Sequence, residues 1–427
     1  MTLAKSYMRF LYRCFRLSLV GDWRYHTWMF LLSVLTLIGI NAYAKQFVHG
    51  LITTGMTDQV SWGLYIANFT YLVGVAAAAV MLVIPVYIYK NKELYNLVIF
   101  GELLAVVAII MCLLFITADL GRPDRFHHML LRFNFPISIL TWDVIALNGY
   151  LLLNLHICGY LIWCSYNNRR PTKKFYIPFV FIAIAWALSI HTVTAFLYSG
   201  LGARPFWNSA VIAPRFLASA FAAGPALIIL TLQVIKTFTT YPVSEKAIST
   251  LKGIVTVALG INMFLLGSEV FTEFYTGSSH SVSAKYLFFG LHGYNALVPW
   301  IWTAILFNSI ALVSLLTPIG KKRVVLNTAC VLMIVGIWIE KGMGLIVPAF
   351  IPSPLGEIVE YTPTLNEIMI CIGIWAFGFL IYTILVRVTI PVLYGDLKID
   401  RIYHFRGEQD QNASEDIEGL ENAELSH

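Results

Sequence analysis

The chain has 427 residues, of which 58% are hydrophobic and only 12% are charged. Because soluble domains carry about 25% charged residues, this composition excludes a soluble globular protein and indicates that lipid surrounds most of the chain. The net charge is +6, but residues 407–427 contain seven carboxylates and no Lys or Arg, which leaves residues 1–406 with a net charge of +13. The basic residues lie in short clusters between long apolar runs, a pattern typical of multispanning membrane proteins and not of proteins that bind nucleic acid.

The apolar runs predict an all-α membrane protein with ten spanning helices, because each run offers about the 20 residues that cross ~30 Å of hydrocarbon. In chain order, spans 1 to 10 are predicted at 27–48, 62–88, 94–118, 136–165, 176–200, 207–235, 250–276, 286–317, 324–350 and 364–394. We expect a basic cytoplasmic segment at 1–26, a ten-helix membrane domain at 27–395 and an acidic cytoplasmic tail at 396–427.

The distribution of Lys and Arg between the spans predicts the orientation of the chain. With ten spans, 21 of the 29 Lys and Arg residues fall on one side, and an excess of these residues marks the cytoplasmic side. Both termini are therefore expected in the cytoplasm, with the protein in the cytoplasmic (inner) membrane of a prokaryote. Six basic residues fall on the opposite, outer side, and three of them occupy one loop: Arg122, Arg125 and Arg132.

Neither the cysteines nor the histidines form a pattern that would bind a redox metal. The six cysteines make no C-x-x-C pair, whereas iron–sulfur and zinc sites need clustered thiolates. A bis-His haem needs imidazoles on different helices at the same depth, and only His191 and His292 meet that condition inside predicted spans. One such pair, with no second pair at another depth, disfavours a transmembrane haem chain. We therefore expect no haem or iron–sulfur cluster in this chain.

Polar residues inside the predicted spans concentrate in the outer half of the membrane. At ~1.5 Å per residue, a layer about 9–13 Å from the outer ends of spans 2, 4, 5 and 6 holds Asn68, Asp143, His191 and Arg215. The same half contains Glu269, Glu273, His292, Glu340 and Lys341, and the sparser inner half contains Glu102, Asn154 and His156. Ionisable groups in hydrocarbon are costly unless they are paired or hydrated, so their positions point to functional sites.

Two interpretations of these ionisable residues remain open. Asp143 and His191 are predicted to exchange protons, because a carboxylate and an imidazole are the usual acid–base groups near neutral pH. Pairs such as Glu269 with Arg215, or Glu340 with Lys341, are equally consistent with ion pairs between helices that do no chemistry. His156 is also consistent with a hydrogen-bonded residue of the bundle.

Aromatic side chains surround Asn68 and Asp143 at the same predicted depth. They include Trp62, Tyr71 and Trp142. Belts of Trp and Tyr at the membrane interface produce such surfaces without any ligand. An apolar, aromatic cleft with a few polar groups is nevertheless what a quinone requires.

Five motifs stand out along the chain. They are Ser61-Trp-Gly-Leu-Tyr-Ile-Ala-Asn-Phe69, Ala118-Asp-Leu-Gly-Arg-Pro123, Trp142-Asp143, Glu340-Lys341 and Tyr361-Thr-Pro-Thr-Leu-Asn-Glu367. Together they resemble the NrfD/PsrC family of polytopic quinone-reactive membrane subunits, over essentially residues 20–395. With ten spans and the stretch 50–60, the chain is most similar to the DsrP branch, and the Hmc, Qrc and alternative complex III membrane subunits are related members.

The resemblance implies two four-helix bundles, spans 2–5 and 6–9, flanked by spans 1 and 10. It also implies a menaquinone or ubiquinone pocket near the outer face of the first bundle, no haem in this chain, and electron exchange with a ferredoxin-like iron–sulfur subunit docked outside. A multihaem cytochrome c and further membrane subunits are expected in the same complex. The basic loop around Arg122 would contact the iron–sulfur subunit or shape the entrance of the pocket.

Candidate residues follow from the resemblance together with the predicted depths. The pocket is predicted around Asn68, Asp143 and His191, and a proton route inward along Glu102, His156 and Glu269. Further candidates for quinone binding are Trp62, Tyr71, Trp142 and Arg122. The second bundle is expected to hold a polar cluster made of Arg215, Glu273, His292, Glu340 and Lys341.

The expected function is that of a quinone- or quinol-binding subunit of a respiratory redox complex, with proton translocation as a further hypothesis. Such a subunit would not be a complete enzyme alone. The rival interpretation is a secondary transporter with an ion site at Arg215, Glu269 and Lys341, which broken helices in corresponding halves of the chain would support. A third is a membrane anchor with a vestigial pocket.

Overall fold

The computed structural model describes residues 3–91, 93–277 and 281–393, and within these ranges the chain is helical, with no β-strand. Ten helices are long and apolar enough to cross a membrane, which confirms the all-α, ten-span prediction and makes this a multi-pass membrane protein. Spans 1 to 10 are Trp23–His49, Leu64–Ile88, Val98–Asp119, Ile139–Tyr166, Lys173–Ser199, Ile212–Phe238, Glu245–Thr276, Val298–Leu316, Arg323–Phe350 and Leu365–Leu393.

Shorter helices lie before and between the spans. They are Leu3–Ser18, Leu51–Thr53, Tyr95–Leu97, Pro123–Arg125, His127–Leu131, Pro205–Trp207, Ser281–Phe289 and Pro318–Lys321. Lys92 and the whole predicted tail at 396–427, which includes Lys398, Arg401 and Arg406, lie outside the described residues. The division into a basic segment, a membrane domain and an acidic tail therefore stays a prediction.

Nine predicted spans agree with the structure to within five residues at each end, but span 8 begins twelve residues later than predicted. The apolar run from 286 is divided, because Ser281–Phe289 forms its own helix and the chain then turns through Gly290 and Gly293, both at positive φ. His292 lies in this turn with a φ of 51° and is exposed. The prediction that placed His292 inside a span was wrong, since counting apolar residues does not detect a turn.

Two of the central spans are interrupted. Span 2 consists of Leu64–Ala76 and Ala78–Val83 followed by a π-turn, and span 9 breaks at Gly342 after Lys341. A side chain at Gly342 would lie 3.1 Å from Cβ of Ala67, so the small residue lets span 9 approach span 2 closely. The Gly224-Pro225 step does not interrupt span 6, which continues as one helix from Ile212 to Phe238.

The spans pack as the two predicted four-helix bundles. Span 2 packs on 3, span 3 on 4 and span 4 on 5; span 6 packs on 7 and on 9, and span 8 on 9. Span 1 pairs with span 10, which also packs on span 3, and the bundles meet where spans 2 and 5 contact span 6 and span 2 contacts span 9. Spans 2, 3, 6 and 9 are the most enclosed, with 71–78% of their apolar windows buried, so they form the centre of the molecule.

Candidate functional site

A cleft of about 450 Å³ lies between spans 2, 8, 9 and 10. It is near the end of the molecule at which spans 2 and 10 begin, which is the predicted outer side and is called the outer end below. Its walls are apolar and aromatic: Leu64, Asn68, Tyr71, Trp300, Ile334, Val335, Trp338, Pro363, Ile368, Cys371, Ile372 and Trp375. The rings of Trp300 and Trp338 lie 6.2 Å apart. Ile372 is 45% exposed on the lipid-facing side of span 10, so the cleft opens towards the membrane.

Asn68 is the polar centre of this cleft. Its Oδ1 accepts hydrogen bonds from the indole nitrogens of Trp338 at 3.0 Å and Trp375 at 2.8 Å, which joins spans 2, 9 and 10. Its Nδ2 donates to the Leu64 carbonyl at 2.8 Å and to Sγ of Cys371 at 3.7 Å. A thiol sulfur is a weak acceptor. One amide hydrogen of Asn68 is therefore weakly held and can be redirected to a better acceptor.

Tyr71 supplies a second donor at the same cleft. It lies three residues after Asn68 on span 2, so the two side chains share one face of that helix. Its ring is 6.2 Å from that of Trp375, and its buried hydroxyl has no hydrogen-bond partner among the residues that the structure describes. An unsatisfied buried hydroxyl costs roughly 1–3 kcal/mol, which an incoming carbonyl oxygen would relieve.

Asp143 and His191 lie elsewhere, in the core of the first bundle. Oδ1 of Asp143 accepts from the Thr194 hydroxyl at 2.7 Å, while Oδ2 has no partner within the described ranges. Nδ1 of His191 lies 2.9 Å from the Ala187 carbonyl, and Nε2 has no partner in the same described part of the chain. Among the described residues no hydrogen bond joins Asp143 to His191, and neither residue lines the cleft. The structure therefore separates these two candidates from Asn68 and Tyr71.

Span 2 stands between these two regions. Asn68 and Tyr71 face the cleft, whereas the Thr70 hydroxyl lies 2.5 Å from the Tyr198 hydroxyl on span 5. Tyr198 is four residues after Thr194, so it continues the face of span 5 that contacts Asp143. A proton that moved between the cleft and Asp143 would have to pass this helix.

The remaining aromatic candidates, Trp62 and Trp142, do not line the cleft either. Trp62 packs 5.9 Å from the ring of Tyr198 and 5.6 Å from that of Trp207, inside an aromatic cluster near the outer end. Trp142 is exposed, and its Nε1 donates to the Pro136 carbonyl at 2.8 Å. Neither side chain lies where it could contact a ligand bound between Trp338 and Trp375.

The second bundle holds a buried ion cluster centred on Arg215. Arg215 is ion-paired with Glu269 on span 7 and, at 3.0 Å, with Glu340 on span 9. The Glu340 carboxylate also accepts from Asn262 at 3.2 Å and Asn308 at 3.0 Å. Four helices thus contribute to one hydrogen-bonded group. The ion-pair interpretation of Glu269 with Arg215 agrees with this geometry.

Lys341 does not pair with its neighbour Glu340. Its Nζ donates to the Phe216 carbonyl at 2.8 Å and lies 4.2 Å from the centre of the Phe216 ring. A small cavity of about 20 Å³ adjoins Arg215 and Glu273, which is room for about one water molecule. Of the residues predicted for the second-bundle cluster, Arg215 and Glu340 form an ion pair, Lys341 bonds to the Phe216 carbonyl, Glu273 lines the cavity, and His292 lies in the turn before span 8.

The candidates for an inward proton route are not connected to one another. Glu102 is buried on span 3 and accepts from the Cys158 thiol at 3.4 Å. His156 is exposed on span 4, with Nε2 3.1 Å from the Phe175 carbonyl, which agrees with its interpretation as a hydrogen-bonded bundle residue. Glu269 belongs to the Arg215 cluster. Within the described part of the chain these three residues have different partners, and the route stays a prediction.

Arg122 lies in an exposed loop at the outer end. Its guanidinium forms two hydrogen bonds of 3.0 Å with the Asp124 carboxylate, and these bonds lower the pKa of that carboxyl below its ordinary value. Arg122 therefore does not reach the cleft. Its exposure suits a contact with another protein of a complex.

Sequence reasoning missed most of the cleft walls, although the motif at 61–69 contains Leu64 and Asn68, and two further motifs contain or adjoin other wall residues. Trp338 lies two residues before Glu340-Lys341, and Cys371 lies four residues after Glu367. The Tyr361 hydroxyl donates to Glu367 Oε1 at 2.8 Å and accepts from the Leu64 amide at 2.8 Å. Glu367 Oε2 also accepts from the Gly55 amide at 2.7 Å. This motif therefore fixes the start of span 2 to the start of span 10, at the rim of the cleft.

Comparison with known proteins agrees with the architecture. Residues 52–351 match the profile of the family described as Polysulphide reductase, NrfD. The provisionally named dimethyl sulfoxide reductase membrane subunit of Halobacterium salinarum is 26% identical over 83% of this chain and 88% of its own length. The Hdr-like menaquinol oxidoreductase integral membrane subunit of Archaeoglobus fulgidus is 24% identical over 85% and 93%. A selenate reductase subunit of Mesobacillus selenatarsenatis is 23% identical over 84% and 93%.

These relatives do not distinguish the DsrP branch from other branches of the family, so the assignment to the DsrP branch stays a prediction. The matched profile covers well over half of the chain and includes the whole of spans 2, 8 and 9, which form the Asn68 cleft together with span 10. The chain belongs to the NrfD family of polysulphide reductase membrane subunits.

Proposed function

We propose that this protein is the quinone-interacting membrane subunit of a multi-subunit, quinol-linked oxidoreductase complex, and that the quinone ring binds in the Asn68 cleft. The observation that carries the proposal is an open aromatic cleft that contains two available donors, namely the amide hydrogen of Asn68 that is held only by sulfur and the hydroxyl of Tyr71. The family and the name of the menaquinol oxidoreductase relative support the choice of ligand. Menaquinone and ubiquinone are both compatible with these donors.

The shape of the cleft suits a quinone. Its volume of about 450 Å³ lies within the ~300–1,000 Å³ of small-molecule sites. The indole rings of Trp300, Trp338 and Trp375 offer flat apolar surface for the ring. The opening towards lipid lets an isoprenoid tail remain in the bilayer while the head group enters between spans 9 and 10.

The two donors would orient the ring. The Tyr71 hydroxyl donates to one carbonyl oxygen, and the weakly held amide hydrogen of Asn68 turns from the Cys371 sulfur to the same or the opposite carbonyl. The two indole bonds to Asn68 Oδ1 hold the amide with its nitrogen available. Asn68 therefore acts as a binding residue whose orientation is set by spans 9 and 10.

Oxidation of quinol to quinone releases two electrons and two protons. The electrons would pass to an iron–sulfur subunit at the outer end, where the exposed Arg122 loop offers a basic contact, with a multihaem cytochrome c and further membrane subunits in the complex. Asp143, which span 2 separates from the cleft, would hold a proton on its Oδ2. His191, on the same side of span 2 as Asp143, would be a second proton acceptor. The Lys and Arg distribution supports an inner-membrane protein with both termini in the cytoplasm.

The transporter interpretation receives little support from the Arg215 cluster. The two carboxylates of the cluster are paired with Arg215, and the adjoining cavity holds about one water molecule. The breaks in spans 2 and 9 do not occupy corresponding positions in the two halves, as an inverted-repeat transporter would have them. Saturable quinone binding in the cleft would exclude transport as the main function.

The test is a quinone titration of the purified protein in detergent, with wild type and Tyr71→Phe compared. Loss of the Tyr71 hydroxyl removes one hydrogen bond, and we expect Kd to rise roughly fivefold to tenfold. Tyr382→Phe is the matched control, because its hydroxyl bonds to the Phe100 carbonyl and it does not line the cleft. An unchanged Kd in Tyr71→Phe, or an equal rise of Kd in both variants, would show that quinone does not bind at Tyr71 in the cleft.

A further inference from the structure

The helix Leu3–Ser18 lies at the end of the molecule opposite the cleft. It contains four basic residues and no Asp or Glu. In its middle, the ring of Phe10 packs 5.5 Å from Trp163 and 4.8 Å from Tyr166, in the last turn of span 4. Just after its end, Arg387 of span 10 donates to the Val20 carbonyl. The helix therefore crosses the inner ends of spans 4 and 10.

These contacts place the helix along the membrane surface. Sixteen residues span ~24 Å, and the contacts from the middle of the helix and from Val20, two residues after its end, reach the same level, namely the inner ends of the spans. The Tyr25 hydroxyl, in the first turn of span 1, donates to the Ser18 carbonyl at 2.7 Å and fixes the turn between the two helices. A helix held in this way lies at the depth of the lipid head groups.

The helix has three distinct faces. Phe10, Cys14 and Leu17 face the protein, and burial raises the pKa of the Cys14 thiol to about 11. A second face is apolar and between 59% and 65% exposed, with Met8, Tyr12, Phe15 and Leu19 at helical spacing. The third face is basic and exposed, and it consists of Lys5, Arg9 and Arg16. Arg13 is directed to the Tyr166 hydroxyl, 3.4 Å away.

We propose that this helix is a binding site for anionic phospholipids of the inner leaflet. The apolar face enters the boundary between head groups and acyl chains, and the neighbouring basic face binds lipid phosphates. Charge complementarity selects the occupant, because no carboxylate of the helix neutralises Lys5, Arg9 or Arg16. Helices that lie in the membrane plane, with an apolar face beside a basic face, bind anionic membranes through burial of apolar surface and through electrostatic attraction to lipid head groups.

The site is independent of the proposed quinone cleft. Its basic residues lie beyond the inner ends of the spans, whereas Asn68 and Tyr71 are in the outer half of span 2. Lipid binding at the helix would fix the protein's inner end in the membrane surface without any change in the cleft.

The experiment measures how strongly the full-length protein prefers spin-labelled phosphatidylglycerol to spin-labelled phosphatidylcholine in reconstituted vesicles. The test variant is Lys5→Gln/Arg9→Gln/Arg16→Gln. The matched control is Arg169→Gln/Arg170→Gln/Lys174→Gln, which removes three exposed charges from the loop between spans 4 and 5 and from the first turn of span 5. We expect the test variant to lose roughly threefold or more of the preference and the control to keep it.

Two further measurements keep the proposal testable if the triple variant does not fold. In wild type, 1 M NaCl should lower the phosphatidylglycerol preference, because exposed charges are screened within about 3 Å at that ionic strength. Arg9→Lys/Arg16→Lys should retain it, because the charges remain. No preference in wild type, an equal loss in the test and control variants, or displacement of the lipid by free inorganic phosphate would overturn the proposal.

Discussion

The Asn68 cleft and the Arg215 cluster are both polar groups inside the membrane, yet they are built in opposite ways. The cleft opens to lipid, and it contains a hydroxyl without a partner and an amide hydrogen held only by sulfur. The Arg215 cluster is enclosed, and its carboxylates accept bonds from three other helices. Donors without partners at an opening can exchange ligands, whereas an enclosed group whose charges are paired stabilises packing. The comparison distinguishes polar residues that bind a ligand from polar residues that stabilise packing, although the two kinds look alike in the sequence.

The largest expected effect is on stability, at the cluster. Arg215→Met would leave Glu269 and Glu340 buried without their counter-charge, and breaking a buried pair in this way costs about 3–5 kcal/mol. Unfolding in detergent should therefore show a large loss of stability. Arg215→Met/Glu269→Gln/Glu340→Gln should recover part of it, because no uncompensated charge remains. A stable Arg215→Met protein that binds quinone but does not turn over would indicate that the cluster acts in turnover and not in stability.

The next largest effect is on quinone affinity, at the cleft. Asn68→Leu removes the donor to the ring and leaves the indole nitrogens of Trp338 and Trp375 without their acceptor. We expect Kd to rise roughly tenfold to a hundredfold, since unpaired buried donors cost about 1–3 kcal/mol. Asn154→Leu is a suitable control, because Asn154 is also buried and also bonds its own helix, through the Tyr150 carbonyl. Equal losses in the two variants would indicate general destabilisation.

A smaller and different effect is expected in the core of the first bundle. Asp143→Asn keeps the acceptor for the Thr194 hydroxyl but removes the carboxylate that would hold a proton. Turnover of the assembled complex should fall while quinone Kd changes by less than about twofold, because Asp143 does not line the cleft. Thr194→Val, which removes only the hydrogen bond, should have the weaker effect on turnover. A large change in Kd for Asp143→Asn would place the ring beside Asp143.

The smallest effect is expected at the outer loop. Arg122→Gln/Arg125→Gln/Arg132→Gln should weaken binding of an acidic partner protein by a few fold at low salt and less at high salt, because exposed charges mainly steer association. Quinone affinity of the isolated protein should not change. Pull-down and association-rate measurements over a salt series test this. A salt-independent effect, or none, would argue against the loop as the docking surface.

Much of the fold could be predicted from the sequence because span length depends on composition. Ten apolar runs gave ten spans, and the Lys and Arg clusters divided them into two sides. The exception is span 8, where the turn at Gly290 and Gly293 interrupts an apolar run without changing its hydrophobicity. Helix pairing came from the family resemblance, and composition alone would not have given it.

The site was predicted only in part. Depth along a helix could be estimated from the sequence, so Asn68 and Tyr71, which line the cleft, were among the candidates, but depth carries no information on the direction a side chain faces. Asp143 was therefore grouped with Asn68, although span 2 separates the two. The indole partners of Asn68 are 270 and 307 residues away along the chain, so no local pattern indicates them.

The most direct test of the central claim is photolabelling with a membrane-soluble azidoquinone, followed by identification of the labelled peptides in the intact protein. Binding in the cleft predicts label on the walls of spans 9 and 10, around Trp338 and Cys371, and competition by unlabelled quinone. Label confined to spans 4 and 5, around Asp143 and His191, would contradict the account and return the quinone to the core of the first bundle.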